Sequence, residues 1–143
     1  MSEVQERAAV VAEAMTWIGT PYHHRSRIKG VGCDCGQLPI AVYASVGLIP
    51  PINPDYAQQW MLHRHEEQYL GWVRRFAKET DHPTAGDFAI WRFGRTFSHG
   101  AIVVDPPRII HACSGDGMVL EADWTREADL PGRPVKFFSP WSR

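Results

Sequence analysis

Cysteine is scarce in this chain of 143 residues, which carries three, Cys33, Cys35 and Cys113. An odd and sparse set differs from the even frameworks that staple small secreted domains, so the thiols invite a chemical reading before a crosslinking one. An excess of one charge is missing as well. Fifteen Lys and Arg against sixteen Asp and Glu leave a formal charge of −1, which gives no overall pull toward nucleic acid or an anionic membrane. Long apolar runs are absent from the first twenty residues, where Glu3, Glu6, Arg7 and Glu13 interrupt any secretory or membrane-spanning segment. The expectation is a protein without a signal peptide, cytoplasmic when made, with neither nucleic acid nor membrane as partner. Internal repeats and low-complexity linkers are lacking too, and a 44% hydrophobic content suffices for one core. One domain over residues 1–143 is expected.

What is present divides into a helical half and a strand half. Val4, Ala8, Val11, Ala12, Met15 and Ile18 recur at helical spacing, predicting an amphipathic helix over residues 3–17 that ends near Gly19. Gly19-Thr20-Pro21-Tyr22 opens a loop running to Asp34, broken by Gly30 and Gly32. A second helix follows Cys35, with Gly47 as its stop signal before Pro50-Pro51. Trp60, Leu62, Tyr69, Leu70, Val73 and Phe76 predict one or two further helices within residues 55–78. From Gly86 onward, runs of β-branched and aromatic residues predict strands at 87–92, 100–104, 108–112 and 118–121, with 135–138 as a fifth. Helices first and a largely antiparallel sheet second is an α+β arrangement. Trp17, Trp72 and Trp91 are candidates for the core, whereas Trp60 and Trp124 are candidates for a cleft or a contact surface.

The chemistry concentrates at the junction of the halves. In Gly32-Cys33-Asp34-Cys35-Gly36-Gln37-Leu38 a polar loop enters an apolar helix with a thiol at the boundary. Free N–H groups at a helix N-terminus favour an anion, which would lower a thiol's pKa from about 8.5 and later stabilise an oxyanion. A nucleophilic thiol needs a base, and Ser98-His99-Gly100-Ala101-Ile102 places a histidine at the mouth of an apolar strand. The next strand ends Ile109-Ile110-His111-Ala112. A hairpin centred on Asp105 would set His99 directly opposite His111, so that the rings could hydrogen-bond as base and orienter.

Blander readings stand beside this one. A cysteine before an apolar helix is commonly a small buried residue, and a histidine ending a strand is commonly structural. Cys33, Cys35, His99, His111 and Cys113 carry zinc-compatible donors, yet structural zinc knuckles use C-x2-4-C and only one residue separates Cys33 from Cys35. That spacing also strains a disulfide, and a redox pair would be C-x-x-C. No metal and no cofactor is expected. His63, His65, Glu66 and Glu67 spread over more than one helical face and read as solvated surface. His23 and His24 stand beside Tyr22, either shaping a substrate entrance or lying on a solvated loop.

Gly19-Thr20-Pro21-Tyr22, Cys33-Asp34-Cys35-x-x-Leu38, Gly86-Asp87-Phe88, His99-Gly100-Ala101-Ile102 and Ile110-His111-Ala112 together resemble the NlpC/P60 family in order and spacing. The resemblance implies a papain-like α+β fold with N-terminal helices packed on the sheet. It implies an endopeptidase acting on peptidoglycan stem peptides, commonly between γ-D-glutamate and a diamino acid. It carries Cys35 over as nucleophile, His99 as base and His111 as third polar residue, with Tyr22 near the oxyanion and Asp34 as the acidic residue that can pair with a substrate amine. Gly36-Gln37 stands where the family usually has Ser-Gly, and Pro39 falls in or just after the first helical turn, where it would remove a backbone hydrogen bond if Cys35 is already at the first helical position. Tyr22-His23-His24, Lys29 through Cys35, Trp60 through Leu70 and Phe93 through Gly100 are similar to the short phage-tail and gene-transfer-agent branch. That similarity implies a virion that delivers the enzyme to the cell wall, with phage tail proteins as partners. The alternative is a tail assembly or adaptor protein that keeps the fold with little or no catalysis.

Overall fold

The computed structural model describes residues 1–53 and 68–141. Helix α1 spans Glu3–Met15. Ser2 and Gln5 form a reciprocal capping box, and Glu3 and Glu6 offset the dipole in the first turn. The helix stops two residues earlier than the periodicity predicts. Thr16 caps it, and the chain turns at Gly19, whose φ of 92° suits glycine. In the segment expected to be a loop, β1 (Arg27–Ile28) and β2 (Gly32–Cys33) form a small hairpin. Strands of two residues are too short to leave a period in the sequence.

Helix α2 is Gln37–Val46, closed at Gly47 as expected. Helix α3 is Gln68–Phe76, with Tyr69 and Leu70 buried. Trp60, Leu62, His63, His65, Glu66 and Glu67 lie outside the described residues. The strands then follow: β3 (Lys78–Thr80), β4 (Phe88–Phe93), β5 (Thr96–Asp105), β6 (Arg108–Cys113), β7 (Met118–Asp123) and β8 (Val135–Ser139). Of these six, β3 was not anticipated. All six join one antiparallel sheet in the order β3-β8-β4-β5-β6-β7.

The two-residue alternation of these strands divides the apolar side chains between two faces. Phe88, Ile90, Ile102, Ile110 and Phe138 pack with Leu38 and Val42 from α2 and Val10 from α1. Ala89, Trp91, Ala101, Val103 and Ile109 face the other way, under Trp124 and Leu130 from the segment between β7 and β8. Fully burying an Ile or Leu contributes about 1.5–3 kcal/mol, so both layers hold the sheet flat against its covers. Trp17 and Trp91 are core residues as expected, whereas Trp72 is half-buried beneath Arg75. Trp124 packs on Trp91 at 6.2 Å.

Gly86-Asp87-Phe88 proves to be a fastening for the helices. Buried Asp87 accepts a 2.8 Å bond from Arg7 of α1, and Tyr43 of α2 donates to the Gly86 carbonyl at 2.7 Å. These bonds fix both helices at the start of β4.

The β5–β6 hairpin corrects one expectation. Its pairs are Ile102↔Ile110 and Val103↔Ile109, then Asp105↔Arg108, with Val104 bulged out. The turn is therefore Pro106-Pro107 instead of Asp105, because proline has no N–H for the ladder and its fixed φ suits a turn. Continued outward, this register puts Ala101 opposite His111. His99 is one pleat further along on the same face, a diagonal neighbour.

Candidate active site

Cys35 sits in the turn immediately before α2. Asp34 organises that turn: its Oδ1 accepts the N–H groups of Gly36 at 3.0 Å and Gln37 at 2.8 Å, and its carbonyl accepts from Leu38 at 3.0 Å. These are the bonds of a helix N-cap, so the hydrogen-bonded turn reaches back over Cys35 although the regular helix begins at Gln37. Pro39 is accommodated by a residue that sequence reasoning missed. Having no N–H, it leaves the Cys35 carbonyl without its helical donor, and Tyr69 of α3 supplies one, its hydroxyl donating to that carbonyl at 2.7 Å. Gly100 makes room for this. A Cβ there would collide with the Tyr69 hydroxyl and the Phe88 ring. The hint in the sequence was negative, a proline that removes a bond and a glycine inside a strand.

His99 lies next to a bulge in β5, where the pairing with β4 shifts between Trp91 and Arg92. Its Nε2 is 2.8 Å from Nδ1 of His111, with the two rings at 85°. The diagonal register thus brings together the two histidines that the hairpin argument paired. For His99 to accept a proton at Nδ1, its Nε2 must carry the shared proton and donate it to His111 Nδ1. His111 then holds its own proton on Nε2, a buried atom with no protein partner among the described residues. Burial pulls His99 down to about 3, with His111 and Arg133 adding to the effect, and burial pulls His111 down to about 4. Both rings are neutral at pH 7.

The thiol of Cys35 lies against the peptide groups that flank His99. Its Sγ donates to the Ser98 carbonyl at 3.5 Å, and the backbone N–H groups of Gly100 and of Cys35 itself favour the thiolate. Among the described residues no hydrogen bond joins Cys35 Sγ to the His99 ring. Burial pushes the thiol up to about 12, and the Asp34 carboxylate adds to the rise. The helix N-terminus therefore does not lower this thiol as its position suggested. Asp34 already takes the free N–H groups, and a carboxylate beside a thiol opposes the thiolate.

Tyr22 pairs with Cys33 through an isolated bridge and stands beside Cys35, whose charge is among the influences raising its phenol. Burial is the largest of these influences, so the phenol stays protonated and remains a donor. Asp34 is 2% exposed, and besides Gly36 and Gln37 its carboxylate accepts the Arg25 N–H at 2.8 Å. The structure places it beneath the site as its organiser. His24 approaches Asp34 at 3.6 Å, and His23 is exposed. Cys33, Cys35 and Cys113 are all free thiols. Among the described residues no group of three or more His, Cys, Asp or Glu is placed to hold a metal ion.

No protein-family model matches the chain, and no curated protein matches it. Solved structures do. The NlpC/P60 domain of the peptidoglycan hydrolase SagA superposes with a TM-score of 0.62 at 23% identity, over 91% of this chain and 96% of that domain. The peptidoglycan hydrolase RipB from Mycobacterium tuberculosis gives 0.65 at 17% identity, over 98% of this chain and 68% of that one. NlpC2 from Trichomonas vaginalis gives 0.69 at 14% identity, over 96% of this chain and 48% of that one. The fold is thus that of NlpC/P60 domains, as the motifs implied.

Proposed function

We propose that the chain is a cysteine endopeptidase of peptidoglycan stem peptides, with Cys35 as nucleophile, His99 as base and His111 as the residue that orients His99. The observation that carries this reading is the His99–His111 bond at 2.8 Å, made where the Cys35 thiol rests on the peptide groups either side of His99. The substrate class is carried over from SagA and RipB, which are peptidoglycan hydrolases. The bond between γ-D-glutamate and a diamino acid is the expected scissile amide.

Both partners start neutral, so proton transfer accompanies attack instead of preceding it. As Sγ bonds to the carbonyl carbon, its proton passes to His99 Nδ1, and His111 Nδ1 accepts from Nε2 of the new imidazolium. The Cys35 N–H and the Tyr22 hydroxyl, which stands beside Cys35, are assigned as the oxyanion donors. The imidazolium then protonates the leaving nitrogen, the C–N bond breaks, and a thioester remains on Cys35. Water, deprotonated by His99, releases the acid and restores the thiol. Direct transfer requires the His99 ring and Sγ to close on one another when substrate binds, a tightening common to catalytic hydrogen bonds that are long in the free enzyme.

Delivery by a phage tail to the cell wall, with tail proteins as partners, completes the reading and rests on the motif similarity alone. The second reading, a tail adaptor with little catalysis, is favoured by the high thiol pKa and by the open Cys35–His99 contact. Mass analysis of stem peptides and sacculi incubated with the purified protein separates the two. New amines at the diamino acid mark the peptidase, and intact peptides after prolonged incubation mark the adaptor.

A further inference from the structure

Arg133, in the segment between β7 and β8, belongs to no part of the machinery described above, yet it stands beside it. Its guanidinium lies 3.7 Å from the centroid of the Phe93 ring, which meets His99 edge-on at 5.5 Å. The cation is close enough to His99 to disfavour its imidazolium. Stacking on an aromatic face holds the planar fork in one orientation, which suits recognition of a carboxylate.

One carboxylate already occupies that fork. Arg133 Nη2 contacts Asp129 Oδ2 at 2.7 Å and Nε contacts the Asp129 carbonyl at 2.6 Å, while Nη1 reaches the Arg92 carbonyl at 3.4 Å. The Asp129 side chain is 83% exposed, whereas that of Arg133 is 28% exposed. A pair whose acid is so well solvated is held weakly, and its carboxylate can be exchanged. Trp91 and Phe93, whose rings also meet His99, carry no charge to compete.

We propose that Arg133, stacked on Phe93 beside His99, binds a substrate carboxylate within one residue of the scissile amide, displacing Asp129 from the guanidinium. This inference rests on the peptidase reading for its substrate class. A stem peptide cut at its γ-glutamyl bond offers two such groups, the α-carboxylate that γ-linkage leaves free and a carboxylate of the diamino acid.

The test uses the full chain carrying Cys35→Ala, titrated calorimetrically with three synthetic stem peptides: the unmodified form, the D-glutamate α-amide and the diamino acid amide. One amide is expected to bind about tenfold or more weakly than the parent, the scale of a lost charge-assisted hydrogen bond. Which amide it is identifies the source of the carboxylate. The penalty should vanish in Arg133→Gln and survive in part in Arg133→Lys, and Asp129→Ala, which removes the competing acid, should tighten the parent peptide. Equal affinity for all three peptides, a penalty that persists in Arg133→Gln, or no binding of any peptide overturns the proposal. Turnover with Cys35 intact is measured separately. Cleavage without an amide penalty leaves the peptidase standing and removes the Arg133 subsite, while the penalty without cleavage does the reverse.

Discussion

Replacing Tyr69 by Phe tests whether the Pro39 defect in α2 is repaired from α3. The hydroxyl donates to the Cys35 carbonyl at 2.7 Å, and position 39 has no N–H to take its place. Leaving a buried carbonyl without a donor costs about 1–3 kcal/mol. For a domain of this size that corresponds to a fall in Tm of about 3–10 °C. The loss falls on the residue that carries the thiol, so alkylation of Cys35 by iodoacetamide should change along with Tm. Pro39→Ala is the informative partner, because alanine restores an N–H at the position from which an α-helix would donate to Cys35. In the Tyr69→Phe background it should recover about 1 kcal/mol more than it adds to the wild type, and a double-mutant cycle removes the effect of proline on the unfolded chain. Additive effects of the two substitutions would refute the repair.

Other consequences follow from the same geometry. Gly100→Ala drives a Cβ into the Tyr69 hydroxyl and Phe88, so a loss of about 1–3 kcal/mol in a denaturant titration is expected, with a fall in any peptidase rate. The alkylation rate of Cys35 should stay low through neutral pH and rise only under alkaline conditions, since burial holds the thiol at about 12; a plateau already reached at pH 7 would contradict this. Asp34→Asn keeps an oxygen for the Gly36 and Gln37 N–H groups but removes the charge, and it should speed that alkylation at pH 8. His99 and His111 titrate near 3 and 4 in the fold against about 6.5 when unfolded, so below pH 6.5 the unfolded chain binds more protons. Tm should therefore fall as pH drops from 6.5 toward 4, and less steeply in His111→Gln.

The sheet was legible because strands β4 to β8 are runs rich in β-branched and aromatic residues punctuated by turn residues, and α1 because its apolar residues recur at helical spacing. What escaped was set by tertiary contacts. The strands β1, β2 and β3 have two or three residues each, too few to leave a period, and β3 owes its conformation to β8, about sixty residues further on. The candidate site was legible as residue types in order: Cys35, His99 and His111 do gather at one end of β5. Their register was not, because a bulge at Val104 and a turn at Pro106-Pro107 replaced the symmetric hairpin. The electrostatics of Cys35 were misjudged for a related reason. The sequence places a thiol at a helix start, but only the fold shows that Asp34 occupies the N–H groups and that burial dominates. Tyr69 and Arg133 lie 34 residues and almost a hundred residues from Cys35, with no local pattern to mark them.

The central claim is that Cys35 attacks the substrate with His99 as its base. Its most direct test is the rate of stem-peptide cleavage by wild type, Cys35→Ala and His99→Ala, measured side by side on folded protein. The account predicts cleavage by the wild type and a fall of about a thousandfold or more in each variant, as when a nucleophile or its base is removed. Equal cleavage by wild type and Cys35→Ala would contradict it.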